Sequence, residues 1–210
     1  MTLEQIHPRR KDRSKDEVWI RAFLHRAGAG VFVTVRDGVP YPVPMNFVYD
    51  ASREVVYLHT GKAGRSRNNL DGAGEDGPAP TSGSRDAPEE PKASPPAASG
   101  APAALCAYEM GRFLPADEAL EFGVEYASVV VFGAGSVVED PEEAEGALTL
   151  LMEKYAPHMQ AGRDYRPVAP QEVRRTTVIR LDIQGWSGKE KAEGPDFPGA
   201  YRLEDVRPSP

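Results

Sequence analysis

Residues 39–50 read VPYPVPMNFVYD, and the spacing of the three prolines decides what kind of sheet this chain can build. Pro40, Pro42 and Pro44 share one parity. Alternate N–H groups of a strand point at the same neighbour, so this segment lacks three consecutive donors on one side. Such a strand belongs at an edge or at a seam in the sheet. Val39, Tyr41, Val43, Met45, Phe47 and Tyr49 line one face, and Asn46 is the polar exception on the other. A seam with unpaired backbone suits a flat ligand; an edge covered by a loop is the simpler reading.

Upstream lies a strand, VFVTVRD, from Val31, and Asp37-Gly38 between the two is the dipeptide of a two-residue hairpin turn. Before it, Ser14 and Glu17 form a capping box ahead of Val18, Trp19, Ile20, Phe23, Leu24 and Ala27, which predicts an amphipathic helix ending at Gly28 and Gly30. Residues 1–13 are a polar arm.

Downstream, a strand from Glu54 to Thr60 runs into VYLHTGKAGRSRNNL, residues 56–70. The strand period breaks at Gly61, where a glycine-opened turn leads into a short helix. His59, Lys62, Arg65 and Arg67 can carry charge, Thr60, Ser66 and Asn68 add hydroxyls and an amide, and no carboxylate precedes Asp71. Backbone N–H groups at a helix start, the positive dipole end and flexible glycines make a phosphate cradle of such a stretch. A plain solvated basic turn is the alternative.

From Gly72 to Ala104 there is no Val, Ile, Leu, Met or aromatic residue. This composition cannot bury enough apolar surface to offset the entropy of ordering it, so residues 72–104 read as a disordered insertion inside the domain. A strand follows at Leu105 to Met110, then a long one, EYASVVVFGAGSVVE, over 125–139, with Gly133 and Gly135 marking a bulge. Asp140-Pro141 caps a helix carrying Ala144, Leu148, Leu151, Met152 and Tyr155 on its buried stripe. Residues 157–170 are loop, a last strand spans Thr176 to Ile183, and a polar tail occupies 196–210. The pattern is one domain, 14–195, with six strands and two main helices. No strand–helix alternation repeats, so a small antiparallel β-barrel with peripheral helices fits and a doubly wound sheet does not.

Composition narrows the function. A net charge of −7 with no long basic face argues against nucleic acid as a partner. No apolar run approaches the ~20 residues of a membrane span, and the N-terminus has no apolar core for export, which points to the cytoplasm. The single Cys106 forms no internal disulfide, and no spacing suggests a metal site. No Ser-His-Asp or paired-carboxylate constellation suggests catalysis by side chains alone; His59 is the one histidine in a suggestive setting.

The order of these segments resembles a known family. The helix, VTVRDGVPYPVPMNFVYD, VVYLHTGKAGRSRNNL, YASVVVFGAGSVVED with its helix, and TTVIRLDIQGWSGKEK are similar to the FMN-binding split-barrel superfamily of pyridoxamine 5′-phosphate oxidase-like proteins, nearest its nitroimidazole-resistance branch. The resemblance implies a six-stranded antiparallel split β-barrel with peripheral helices. It implies FMN as cofactor and a homodimer with the cofactor at its interface. The Pro44-Met45-Asn46-Phe47-Val48 strand would run beside the isoalloxazine ring and offer it backbone polar groups. His59 and Thr60 would end the next strand near the ribityl phosphate, with Lys62 and Arg65 or Arg67 on the phosphate itself. Ser128 would lie on the barrel strand by the cofactor, and Trp186 would approach the flavin of this subunit or the second.

Two departures stand out. Arg65 and Arg67 occupy the place where family members carry a lysine, which changes the donor geometry. The Arg and His substrate pattern of the true pyridoxamine phosphate oxidases is not recognisable in PGAYRLEDVRPSP, so that reaction is not assigned. The function implied is an FMN-dependent oxidoreductase acting on a small molecule. The alternative is a non-catalytic module that holds flavin, deazaflavin or haem on the same barrel.

Overall fold

The computed structural model describes residues 6, 8–71 and 100–206. Its strands are β1 (Ser14–Lys15), β2 (Gly30–Arg36), β3 (Val39–Met45), β4 (Phe47–Asp50), β5 (Val55–Gly61), β6 (Ala101–Leu114), β7 (Gly123–Val137) and β8 (Thr176–Lys191). The helices are α1 (Glu17–Arg26), α2 (Arg65–Asp71), α3 (Pro141–Tyr155), α4 (Pro170–Arg175) and α5 (Leu203–Val206). The strands form one antiparallel sheet in the order β3-β2-β6-β7-β8-β5-β4, with β1 added to the far end of β8. The six expected strands become eight because β1 forms and because the 39–50 strand divides at Asn46.

That division is what splits the barrel. The Asp37-Gly38 turn has φ of 52° and 74°, the hairpin geometry its residues predict. Its flanking pair, Arg36 and Val39, is hydrogen-bonded in such a hairpin, which puts Pro40, Pro42 and Pro44 at the non-bonded positions opposite Val35, Val33 and Val31. The prolines therefore face away from β2, where β3 has no strand neighbour. After Asn46 the same chain pairs on its other side, with β5. One continuous segment thus ends the sheet at both edges, and no backbone ladder joins them.

Side chains close the seam instead. Asn46 Nδ2 donates to the carbonyl of Gly28 at 3.1 Å. The Tyr155 hydroxyl accepts from the Phe47 N–H at 3.0 Å and lies 2.8 and 2.9 Å from the carbonyls of Gly28 and Phe47. Lys154 Nζ donates to Phe47 O at 2.9 Å and Leu24 O at 3.3 Å, over the Phe47 ring at 3.9 Å. The end of α3 supplies the partners that a neighbouring strand would otherwise give. Burial pushes the Lys154 ammonium down to about 8, with no carboxylate to offset it.

Helix α1 plugs the barrel. Ile20, Phe23, Leu24 and Ala27 pack against Phe32, Phe47, Val56, Leu58, Leu105, Val129 and Leu181. A Cβ at Gly188 would fall 2.6 Å from Ile20, so the helix sits on bare backbone there. On the other face of the sheet, α3 buries Ala144, Ala147 and Leu151 against Val48, Val55, Tyr57 and Val178. The Tyr57 hydroxyl donates to Glu143 at 2.6 Å, and Arg180 holds the same carboxylate at 2.9 Å.

Several boundaries differ from expectation. The N-cap of α1 is Asp16, whose side chain accepts from the Trp19 N–H; Ser14 is drawn into β1 by pairing with Lys189. Residues 101–104 belong to β6, where Ala103 is buried between β2 and β7, so the insertion read at 72–104 stops short of them. Its residues 72–99 lie outside the described ones, as do 1–5 and 7 of the arm and 207–210 of the tail. Strand β8 continues past Ile183 to Lys191, and Gln184 is the extra residue of a bulge opposite Phe132 and Gly133. The tail folds back: Phe113 and Tyr201 exchange backbone hydrogen bonds and stack at 5.5 Å.

Two predictions follow from this packing. A Cβ at Gly133 would fall 1.9 Å from the backbone oxygen of Asp182, whereas one at Gly146 in α3 meets nothing within 4 Å. Chemical denaturation should show Gly133→Ala losing about 3 kcal/mol or more, and Gly146→Ala gaining about 0.5–1 kcal/mol from helix propensity. Lys154 has a folded pKa of about 8, below its ordinary 10.5, so between those values the unfolded chain binds more protons. Its contribution to stability should rise with pH through that window. Denaturation of wild type and Lys154→Met at pH 7 and pH 10 should show the difference moving in favour of wild type; a constant difference contradicts the burial of a charged lysine.

Candidate functional site

The basic turn lies at one end of the barrel, where α2 covers the opening. Asn69 Nδ2 donates to Thr34 Oγ1 at 2.9 Å in the buried interior, and Arg36 donates to Asn68 O at 3.2 Å. Gly135 makes room for α2, since a Cβ there would lie 2.9 Å from Leu70. Residues 61–65 stay exposed. Among the described residues no acceptor takes the N–H groups of Lys62, Ala63 or Gly64. The Arg65 guanidinium stacks on the Tyr41 ring at 4.9 Å, which fixes it over the free edge of β3.

The turn does not bring all its polar groups together. Arg67 donates to the carbonyl of Lys62 at 2.6 Å and pairs with Asp71 at 3.0 Å, so it fastens the turn and is not offered to a ligand as the sequence suggests. The carboxylate just beyond the basic stretch is what captures it. His59 and Thr60 point to opposite faces of β5. Thr60 is half-buried and pairs with Thr177. His59 opens on the α3 side into a cavity of about 360 Å³ walled by Leu148, Leu151, Met152 and Tyr165. Lys62 borders a neighbouring cavity of about 370 Å³ that also holds Glu139, Glu142, Glu145 and Arg174.

At the seam, Met45 is half-buried against the core and Pro44 is exposed on the outer side of the sheet. Phe47 faces the interior of the barrel. Its ring is fully buried, and its N–H and carbonyl are taken by Tyr155 and Lys154, which leaves it no polar group for a ring beside it. The sequence places Tyr155 on the buried stripe of α3 but gives no sign of its polar contacts, and a lysine at a helix end reads like any solvent-facing one.

Ser128 and Trp186 lie elsewhere. Trp186 packs edge-on to Tyr49 at 6.2 Å under the Arg21 guanidinium at 4.8 Å, beside a cavity of about 500 Å³ shared with Lys15, Glu17 and Gln184. Thr176 pairs with Gly61, and Trp186 is ten residues farther along β8, about 30 Å at the usual rise per residue. One chain therefore does not bring Trp186 to the basic turn. Ser128 is 6% exposed, on the outer face of β7 between Tyr108 and Lys189.

That outer face is apolar where β2, β3, β6 and β7 lie side by side. Val31 and Val33 stand next to Pro44 and Pro42 on one side and Cys106 and Ala104 on the other, with Val130 and Phe132 beyond. Among the described residues these stay half-buried or exposed, in contrast to the two covered faces under α1 and α3. Burial pushes the Cys106 thiol up, as expected for an inert packing residue. No described group of three or more His, Cys, Asp or Glu could hold a metal ion, and no described helix is long and apolar enough to cross a membrane.

Comparisons with known proteins agree with this architecture. The family model described as pyridoxamine 5′-phosphate oxidase matches residues 14–77 and 91–190. No curated protein matches. Among solved structures, the FAD and haem binding protein from Mycobacterium smegmatis is 20% identical, covers 89% of this chain and 76% of its own, and has a TM-score of 0.65. The flavocytochrome Anf3 from Azotobacter vinelandii is 20% identical, covers 97% and 86%, and has a TM-score of 0.66. A candidate 5-nitroimidazole antibiotic resistance protein from Bacteroides thetaiotaomicron is 21% identical, covers 84% of each chain, and has a TM-score of 0.55. At such identities the likeness concerns the fold. The family model spans the seam strand, the basic turn and the long strands on both sides, and on that match the chain belongs to the pyridoxamine 5′-phosphate oxidase family.

Proposed function

We propose that this protein binds FMN and uses it as an oxidoreductase acting on a small molecule. The observation that carries the reading is the turn at 61–65. It is exposed and rich in donors, with Lys62 in it and Arg65 held in place on Tyr41. Free backbone N–H groups with an ammonium and a guanidinium suit a phosphate dianion. Similar structures include an FAD and haem binding protein, a flavocytochrome and an FAD-binding protein from Mesorhizobium loti, which supports a flavin here. When bound, FMN supplies the electron transfer, and the protein supplies binding, orientation and nearby charge. Lys62 and Arg65 would hold the phosphate end. Arg67 would keep the turn in shape through Asp71.

The site is shared between two copies in this reading. The basic turn and the residues expected at the ring, Ser128 and Trp186, are too far apart in one chain to touch one ligand. The uncovered apolar face of β2, β3, β6 and β7, with Ser128 at its rim, is the surface through which a second copy would pack.

The alternative, a module that holds haem or another ring without catalysis, takes its support from the His59 cavity, where an imidazole faces Leu148, Leu151 and Met152. The basic turn would then be without a ligand.

Fluorescence titration with FMN and riboflavin tests the phosphate assignment. Lys62→Ala or Arg65→Ala should weaken FMN about 10- to 100-fold, since a charge-assisted contact contributes roughly 1.5–3 kcal/mol, and should leave riboflavin nearly unchanged. Arg67→Ala should cost thermal stability along with affinity for both flavins. Equal losses for both flavins at Lys62 and Arg65 would sink the cradle. For assembly, light scattering at micromolar concentration should give twice the chain mass, and Val33→Glu on the apolar face should give a monomer that no longer holds flavin. A Val33→Glu monomer with full flavin affinity contradicts the shared site.

A further inference from the structure

The seam is held by a lysine that has no carboxylate. Lys154, in the last turn of α3, gives its Nζ to two backbone carbonyls, Phe47 O on β4 at 2.9 Å and Leu24 O on α1 at 3.3 Å, above the Phe47 ring. Leu24 O is among the last carbonyls of α1, which the helix leaves without a donor of its own. Among the described residues Lys154 makes no ion pair. The charged groups around it are engaged or turned to solvent. On α1, Arg21 pairs with Glu54, Arg26 pairs with Glu109, and His25 lies edge-on to Tyr49. On β4, Asp50 is taken by Ser52 and Arg53. Along α3 and beyond it, Glu143 is held by Tyr57 and Arg180, and Glu153 and His158 are exposed.

An ammonium in this place has three N–H donors for two carbonyls, and no counter-charge offsets its desolvation. A free amine suits the surroundings as well, because its two N–H groups serve the two carbonyls and its lone pair is released. An unprotonated lysine is a nucleophile. The acylated side chain suits them too: the amide is neutral, needs no counter-ion and keeps one N–H for a carbonyl. Lys15 offers the contrast, since it is tied to Glu190 at 2.6 Å and its acylation would leave that carboxylate unpaired. Lys154 is half-buried and not sealed, and Tyr155 and Met159 near it along the chain are 38% and 39% exposed, so the end of α3 is open to a small reagent.

We propose that Lys154 is an acylation site for small acyl phosphates, and that its acylation unfastens the seam. The amine lone pair attacks the acyl carbon and a C–N bond forms. The bond from that carbon to the phosphate oxygen breaks, inorganic phosphate leaves with the electron pair, and the amine proton passes to solvent. One N–H then remains where two carbonyls were served. Phe47 O still has the Tyr155 hydroxyl at 2.9 Å, whereas Leu24 O has no second side-chain donor among the described residues. The direct tie of α3 to α1 is therefore the one that is lost, and the acyl group must also find room beside the Phe47 ring. The site lies on the α3 side of the sheet, away from the apolar face of β2, β3, β6 and β7, and the reaction needs no flavin.

The reagent is acetyl phosphate, applied briefly to the folded protein at pH 7, 8 and 9 with Nα-acetyl-lysine amide in the same solution. Acetylation is read lysine by lysine from peptide masses. Burial holds the Lys154 ammonium at about 8, so its rate should level off above pH 8. The free derivative, with its ordinary value near 10.4, should gain about tenfold per pH unit throughout, and at pH 7 it should react roughly tenfold more slowly than Lys154. Treatment that modifies Lys154 should lower the melting temperature by about 3 °C or more. The same treatment should leave Lys154→Arg, which keeps the cation and presents no such amine, at its untreated value. A rate at Lys154 that climbs like that of the free derivative overturns the proposal. So does a Lys154 still unmodified when the exposed Lys11 is acetylated, or full acetylation of Lys154 with unchanged melting. These three readouts use the wild-type chain and hold whatever the stability of the variant.

Discussion

The fold depends on a donor deficit. Three prolines at alternate positions leave β3 able to hydrogen-bond on one side only, so the sheet cannot close into a cylinder through its backbone. Everything nearby answers that constraint. The chain turns its other edge to β5 after Asn46, α3 reaches across with Lys154 and Tyr155, and α2 covers the barrel end. The same deficit discourages a foreign strand from adding at this edge, because the free side of β3 presents the carbonyls of Pro40, Pro42 and Pro44 and no donors. An edge that rejects strands but stays accessible lies open to a ligand, and Arg65 already stands over it on Tyr41.

Much of this could be read from residues whose local chemistry admits few answers. Asp37-Gly38 adopts positive φ at both positions, Asp140-Pro141 caps α3, and Gly133 sits where a side chain would collide with Asp182. What escaped the sequence involves contacts whose partners are distant. Ala101 to Ala104 look like spacer by composition, yet small residues are what β6 needs between Phe32, Gly135 and the Leu70 end of α2. The second half of β8 lacks an apolar pattern because Gly188 must admit Ile20 and because Lys189 faces outward. Ser14 fits a capping box as well as Asp16 fits a cap, and only the pairing with Lys189 decides between them.

The candidate site shows the same division. Sequence finds the basic turn as a unit, and the structure keeps Lys62 and Arg65 in it while assigning Arg67 to Asp71 and His59 to the opposite face. It also separates the turn from Ser128 and Trp186 by most of the length of β8. A residue list cannot express that separation, since order along the chain says nothing about which end of a strand faces which ligand. That separation, together with the uncovered apolar face, supports the proposed pairing of two chains around a flavin.

The central claim is the identity of the ligand, and one measurement addresses it directly. The purified protein would be scanned for visible absorbance, then denatured, and the released chromophore identified by mass. The account predicts an oxidised flavin spectrum and a released molecule with the mass of FMN, in a ratio of one per chain. Haem, FAD, or a colourless protein that takes up no FMN when it is supplied would contradict it.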